Sequence, residues 1–433
     1  MQEVLQVTLP LTRIRAQVEP GEAQPGFESH QCSHLSSLVG RPRSVRRPTQ
    51  YHDVVPQTPT ADVVIVGGGL IGTSIGWRLA QAGLRVTVVA GDAEAAASRV
   101  AAGMLAPVTE TTFTEEKLLR LTLASIGMFD DFATEVGTAS GLPVGLRRTP
   151  TLSVASTADD AARLGMLADY LTRIGLESER LTSRECRRQE PLLAPTIRSG
   201  LLVGGDWSCD NRLLWAALRE AAGRAGVRRV DGAVGRLELA GDRVVGVRLS
   251  DGSGIATDQV VVAAGAWAGQ LDLPLHLPVR PVKGQILRLD PAGLPQPGLT
   301  VRAFSQGAEV YLVPRESGHE VVVGATVEDL GFDPRVTAGG VYELLRDARA
   351  VIPMTAEYTL AETSVGYRPG TPDNAPILGA SGIDGVTLAT GHYRNGVLLT
   401  PITASVVAAA VLDGALPDVA AGFTLARFEE RER

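Results

Sequence analysis

The chain has 433 residues, of which 44% are hydrophobic and 21% charged, with a formal net charge of −7. That length accommodates two or three domains and a large core, and the net acidity gives no general reason to bind nucleic acid or an anionic membrane. Cys32, Cys186 and Cys209 form no C-x-x-C pair or metal-like spacing, and no run of eighteen apolar residues offers a membrane span, so a soluble, reduced, cytoplasmic protein with no metal is expected.

Residues 1–60 are rich in Pro, Gly, Gln, Ser and Arg without sustained periodicity, and read as a disordered leader, either a flexible tail or an upstream start assignment. The Arg-rich stretch at 41–47 is not followed by an apolar segment, so it is not a signal peptide. From 61 to 83 the sequence reads as a buried strand, a glycine turn and a helix. Val63 to Val66 are apolar, Gly67, Gly69 and Gly72 have G-x-G-x-x-G spacing, and Ile71, Ile75 and Leu79 follow at helical steps. This is a dinucleotide-binding turn. Gly67 permits the tight turn, Gly69 lets backbone approach a pyrophosphate, and Gly72 lets helix and strand pack closely. The diphosphate would then sit on free N–H groups at the helix start, around Leu70 and Ile71.

Residues 84–90 read as the second parallel strand. Its ribose-binding slot is the apolar Ala90, with Asp92 the nearest acid. In the loop at 97–110, the small Ala101, Ala102 and Gly103 would let backbone pass close to a planar ligand. A helix is expected over 114–136, a strand pair over 145–155, an amphipathic helix over 158–174 and a short capped helix from Ser183. Asp210 is the expected N-cap of a helix over 211–225, and strands follow at 227–230, 234–239 and 244–249, the last two joined by a hairpin. A continuous apolar strand at 259–264 ending in Gly265-Ala266-Trp267 marks a return to the nucleotide domain. Segments 280–289, 310–314 and 320–326 read as antiparallel strands without alternating helices, hence a separate β-rich domain. The last part carries VGYRPGTPDNAPILG (365–379) and TGHYRNGVLLTP (390–401), the latter running into an apolar helix after Asn395.

The glycine turn, AAGML, VVVAAGAW, VYLVPR and these two C-terminal motifs occur in the order seen in the FAD-dependent D-amino-acid oxidase group. The chain most closely resembles its glycine oxidases of thiamine biosynthesis over about 62–428. The resemblance implies an α/β fold in which a Rossmann-like FAD-binding domain is interleaved with a mixed β-rich substrate domain. The expected boundaries are 61–141, 200–278 and 366–428 for the former, and 142–199 and 279–365 for the latter. It implies oxidative deamination of glycine or another small amino acid, with hydride transfer to flavin, an imine product and reoxidation by O2 to hydrogen peroxide. The alternative is a D-amino-acid, sarcosine or proline oxidase or dehydrogenase of the same group.

By residue, the resemblance places Arg368 on the substrate carboxylate, as a bidentate fork, with Tyr311, Met104 and Arg394 around the substrate. Cofactor contacts are expected at Gly67, Gly69, Leu70, Ile71, Gly72, Asp92, Ala101, Ala102, Gly103, Met104, Val234, Gly265, Trp267, His392, Arg394, Asn395, Gly396, Val397 and Leu398. Free N–H groups at Gly396, Val397 and Leu398 would open a helix whose positive end faces the flavin pyrimidine. His392 reads as structural, and Lys283 as an exposed strand lysine unless it helps near the flavin. With no cysteine near the C-terminal motifs, FAD is expected to be noncovalent. A homo-oligomer is implied.

Overall fold

All four side chains of Val63–Val66 are buried, because this strand runs parallel between Val86–Ala90 and Val260–Val262. A strand covered on both faces needs a continuous apolar run, not an alternation. The computed structural model describes residues 61–91, 94–305 and 308–429, so the expectations for the leader and for Asp92 lie outside the described residues.

The first sheet has six strands in the order Ile377–Ala380, Val386–Thr390, Val260–Val262, Val63–Val66, Val86–Ala90 and Arg228–Asp231. Every pairing is parallel except at the Ile377–Ala380 edge. Val63 and Ile65 pack against Ile75, Leu79, Ile402 and Val406 of the helices Leu70–Gln81 and Thr400–Asp413. Val64 and Val66 face the other way, onto Leu237, Val244 and Ile255 of a three-stranded antiparallel meander, Val234–Ala240, Arg243–Leu249 and Gly254–Ala256. The return at 259–264 thus joins the first sheet beside the glycine turn.

The second sheet has eight strands in the order Thr359–Gly370, Arg280–Asp290, Val321–Gly324, Ala308–Pro314, Thr300–Ser305, Thr151–Ala155, Ser199–Val203 and Glu179–Thr182. It is antiparallel apart from the pair Thr300–Ser305 and Thr151–Ala155. The helix Ala338–Val351 covers it through Leu344, Ala348 and Val351. This is the β-rich domain.

Several boundaries differ from expectation. The segments at 146–147 and 151–155 part instead of pairing: Leu146–Arg147 joins Trp207–Cys209, and Thr151–Ala155 enters the second sheet. The loop at 97–110 contains a short helix, Ala97–Val100, and a strand, Met104–Leu105. The last apolar helix starts at Thr400 with Pro401 in its first turn, after a 3-10 turn at Tyr393–Asn395. Its start lies beyond Asn395 because proline, lacking an N–H, sits where the first orphan donors fall. The expected domain cuts at 200 and 366 fall inside the strands Ser199–Val203 and Thr359–Gly370. Asp210 caps its helix as expected, accepting from the N–H groups of Arg212 at 2.9 Å and Leu213 at 3.2 Å.

Candidate active site

The glycine turn is built for close approach. Gly67 has φ 113°, and a β-carbon there would lie 2.3 Å from the Ala263 carbonyl oxygen, while one on Gly72 would lie 1.9 Å from the Gly67 carbonyl oxygen. Either contact is far inside van der Waals distance, so both positions require glycine. The helix Leu70–Gln81 that follows has no side-chain cap and no acid in its first turn. Gly67, Gly69, Leu70 and Ile71 instead line a cavity of about 500 Å3. A helix N-terminus with no capping side chain of its own and its positive dipole end on a cavity fits a diphosphate. Leu70 N–H, expected to be free, donates to Ser98 Oγ at 2.9 Å, which ties the 97–105 segment over the turn because a serine hydroxyl satisfies this orphan donor from outside the helix. Gly72 is set behind the wall, where it allows the turn to pack.

The same cavity runs past Ala101, Ala102, Gly103, Met104, Val234, Gly265 and Trp267 to His392, Arg394, Gly396 and Val397. The small-residue segment is held from behind. Arg315, only 4% exposed, donates to the carbonyl oxygens of Ala102 at 2.9 Å and Cys209 at 3.4 Å and to Asn211 Oδ1 at 3.0 Å. Asn395 and Leu398 are not on the wall. The Asn395 N–H and carbonyl are spent within the turn, on the His392 carbonyl and the Leu399 N–H, and Leu398 packs into the helical core with its carbonyl oxygen accepting from Ser125 Oγ.

A second cavity of about 850 Å3 adjoins the first, and both are lined by Glu110, Tyr311, Arg368, Tyr393 and Arg394. Arg368 and Tyr311 come from two strands of the second sheet, and glycines make the room for them. A β-carbon on Gly284 would lie 2.5 Å from Arg368 Nη1, and one on Gly324, paired with Tyr311, would lie 2.4 Å from the Tyr311 hydroxyl. Arg368 Nη1 donates to the carbonyl oxygens of Thr326 at 3.1 Å and Lys283 at 3.4 Å, fixing the fork. Burial raises the Tyr311 phenol above its ordinary range, with the Arg368 charge opposing, so the phenol is a protonated donor. Arg394 stays accessible along the cavities, and although desolvation by the surrounding wall opposes it, Glu110, Tyr393, Glu309 and Glu115 hold its ionisation up.

Sequence reasoning missed Glu110, Arg302 and Glu309 here. Arg302 donates to the Thr109 carbonyl and lies 3.7 Å from Glu110 and 3.6 Å from Glu309. Its signal was its register: Arg302 pairs with Tyr311 across a hairpin, which becomes visible only once 300–305 is known to be a strand. Lys283 is corrected outright. Its ammonium is fully buried, 2.9 Å from Asp333 and 3.1 Å from Glu328, because a charge can enter a core only with partners. His392 is 3% exposed and its Nε2 lies 3.0 Å from Thr403 Oγ1. Burial lowers its ionisation to about 3, so the imidazole is neutral. Among the described residues no group of three His, Cys, Asp or Glu side chains could hold a metal, and no helix is long and apolar enough to cross a membrane.

The chain matches the family described as FAD dependent oxidoreductase (DAO) over residues 62–410. It is 36% identical to the bifunctional protein ThiO/ThiG of Trichormus variabilis over 86% of its own length and 56% of that protein, so it spans about half of such relatives. It is 35% identical to the glycine oxidase of Geobacillus kaustophilus over 80% of this chain and 92% of the relative. The crystal structure of glycine oxidase from Geobacillus kaustophilus superposes with a TM-score of 0.79 at 33% identity, covering 86% of this chain and 99% of that one.

Proposed function

This chain belongs to the FAD-dependent oxidoreductases of the DAO family, and from that premise we propose that it oxidises glycine or a similarly small amino acid. FAD is its cofactor, and the glycine turn, the helix start on the cavity and the small-residue segment fit it. In this reading O2 takes up the electrons as hydrogen peroxide, and the product is the imine that the thiazole step of thiamine synthesis consumes. The FAD is noncovalent. The protein works in the cytoplasm as a homo-oligomer.

The observation that carries the reading is the convergence of Arg368 and Tyr311 on the boundary shared by two cavities. When bound, FAD supplies a two-electron acceptor for the α-hydrogen. Arg368 takes the substrate carboxylate through its planar fork, whose orientation is set by its bonds to the Thr326 and Lys283 carbonyls. Tyr311 donates its phenolic proton to the same carboxylate and fills the wall with its ring. Met104 lines the inner cavity beside them. His392 does not accept the substrate proton, since it is neutral, buried and engaged with Thr403. The substrate amine therefore enters deprotonated.

A second reading has one observation in its favour. The outer cavity is larger than glycine needs, and Arg302, Arg394 and Tyr393 line it, which suits a substituted amine: sarcosine, a D-amino acid or proline. A peroxide assay across glycine, sarcosine, D-alanine, D-proline and L-alanine separates the two. Glycine is expected to have the highest kcat/KM. A clear preference for a substituted amine selects the second reading, and activity confined to L-alanine contradicts both.

A further inference from the structure

At the end of the second strand, a dinucleotide ribose ordinarily meets an acid about 20 residues beyond the glycine turn. Ala90 occupies that position and lines the inner cavity. The neighbouring edge strand brings a charged pair to the same place. In the parallel register Val88 lies opposite Arg229, and Ala90 lies opposite Asp231. Residues two apart on a strand share a face, and Arg229 Nε donates to Asp231 Oδ1 at 2.9 Å.

The guanidinium reaches the phosphate turn. A β-carbon built on Gly68 would lie 2.6 Å from Ala90 Cβ and 3.4 Å from Arg229 Nη1, and Arg229 lines the cavity together with Gly68, Ala90 and Gly91. Its side chain is 32% exposed, against 85% for Asp231, so the cation faces inward and the acid braces it from outside. The methyl of Ala90 leaves open the space a longer acidic side chain would fill. Because Asp231 engages Nε, the terminal nitrogens remain to serve the cavity.

We propose that Arg229, braced by Asp231, holds the adenosine ribose of FAD. The polarity of the usual contact is reversed: ribose hydroxyl oxygens accept from a guanidinium in place of donating to a carboxylate. The inference rests on FAD binding at the glycine turn, and it makes Arg229 a cofactor-binding residue and Asp231 a positioning residue.

The test measures FAD dissociation from the full-length holoenzyme by the fluorescence of released flavin, and displacement of FAD by ADP, 2′-deoxy-ADP and 3′-deoxy-ADP. Arg229→Ala is expected to weaken FAD binding roughly tenfold or more, with Arg229→Lys intermediate. Wild type should prefer ADP to at least one deoxy analogue, Arg229→Ala should lose that preference, and adding Ala90→Glu to Arg229→Ala should restore it. Circular dichroism of each variant reports whether it folds, and the Lys variant keeps the test open if the Ala variant does not. Unchanged affinity in Arg229→Ala overturns the proposal. So does weaker binding with the ribose preference intact, which assigns Arg229 to the diphosphate, or a preference lost only in Asp92→Ala, which moves the contact there. A wild-type protein that holds no FAD would instead refute the premise.

Discussion

Arg368 is the residue on which substrate affinity should depend most. Arg368→Ala removes charge-assisted bonds to a carboxylate in a partly enclosed site, a loss of about 3 kcal/mol, so steady-state kinetics should show KM raised by roughly two orders of magnitude. Arg368→Lys should recover only part, because a point charge cannot reproduce a bidentate fork. An unchanged KM in the alanine variant would remove Arg368 from the carboxylate. Tyr311→Phe keeps the ring that packs beside Val100 and Ile286, so it should cost roughly tenfold in kcat/KM while thermal stability stays near wild type. His392 should act on stability, not on catalysis. Its ionisation is lowered in the fold from 6.5 to about 3, so its contribution is complete above about pH 6.5 and is lost as pH falls toward 3. His392→Asn should therefore show a shallower fall in Tm over that window than wild type, and the wild-type kcat profile should carry no step belonging to His392. Arg368 and Tyr311 were legible because each sits inside a dense motif. Lys283 was misread because its partners, Asp333 and Glu328, come from a segment that only the fold brings back to it.

Among the elements, the first strand, glycine turn and helix were legible because their pattern is local: an apolar run, three glycines at fixed spacing and a period of 3.6. The structure adds why substitution is costly. Gly72→Ala puts a β-carbon 1.9 Å from a backbone oxygen, so the purified variant should contain far less flavin per chain than wild type, read from its absorbance spectrum. Full retention of flavin would show that the turn yields more easily than its geometry implies. Pairing was less legible. Nothing local says that 146–147 and 151–155 belong to different sheets, or that the short alternation at 300–305 with Arg302 in it is a strand. The start of the last helix could have been read from Pro401, which favours the first turn, in place of the Arg-Asn-Gly motif before it. Arg315 links these elements from within. Arg315→Met should lower unfolding free energy by roughly 1–3 kcal/mol, measured with urea, since it leaves the Ala102 carbonyl and Asn211 Oδ1 without their buried donor, while Glu320 keeps Arg288 and Asp210 keeps its helix cap.

At the scale of the whole molecule, the proposed function rests on two sheets of different construction that meet along one wall. The parallel sheet supplies the turn and the helix start, and the antiparallel sheet supplies Arg368, Tyr311 and Arg302. The sequence motifs predicted this division of labour, but not that the long strand Thr359–Gly370 carries Arg368 to the junction while paired along its length with Arg280–Asp290. That pairing, more than the motif, fixes the guanidinium. The size of the outer cavity was invisible to sequence, because it depends on how strand, helix and loop side chains close around Glu110 and Arg394. The most direct measurement is anaerobic loss of the yellow flavin absorbance on adding glycine, compared between wild type and Arg368→Ala. Wild type should bleach, and the variant should need roughly a hundredfold more glycine for half bleaching. A flavin-loaded wild type that none of glycine, sarcosine, D-alanine and D-proline bleaches, or a variant that bleaches at the same concentration as wild type, would contradict the assignment.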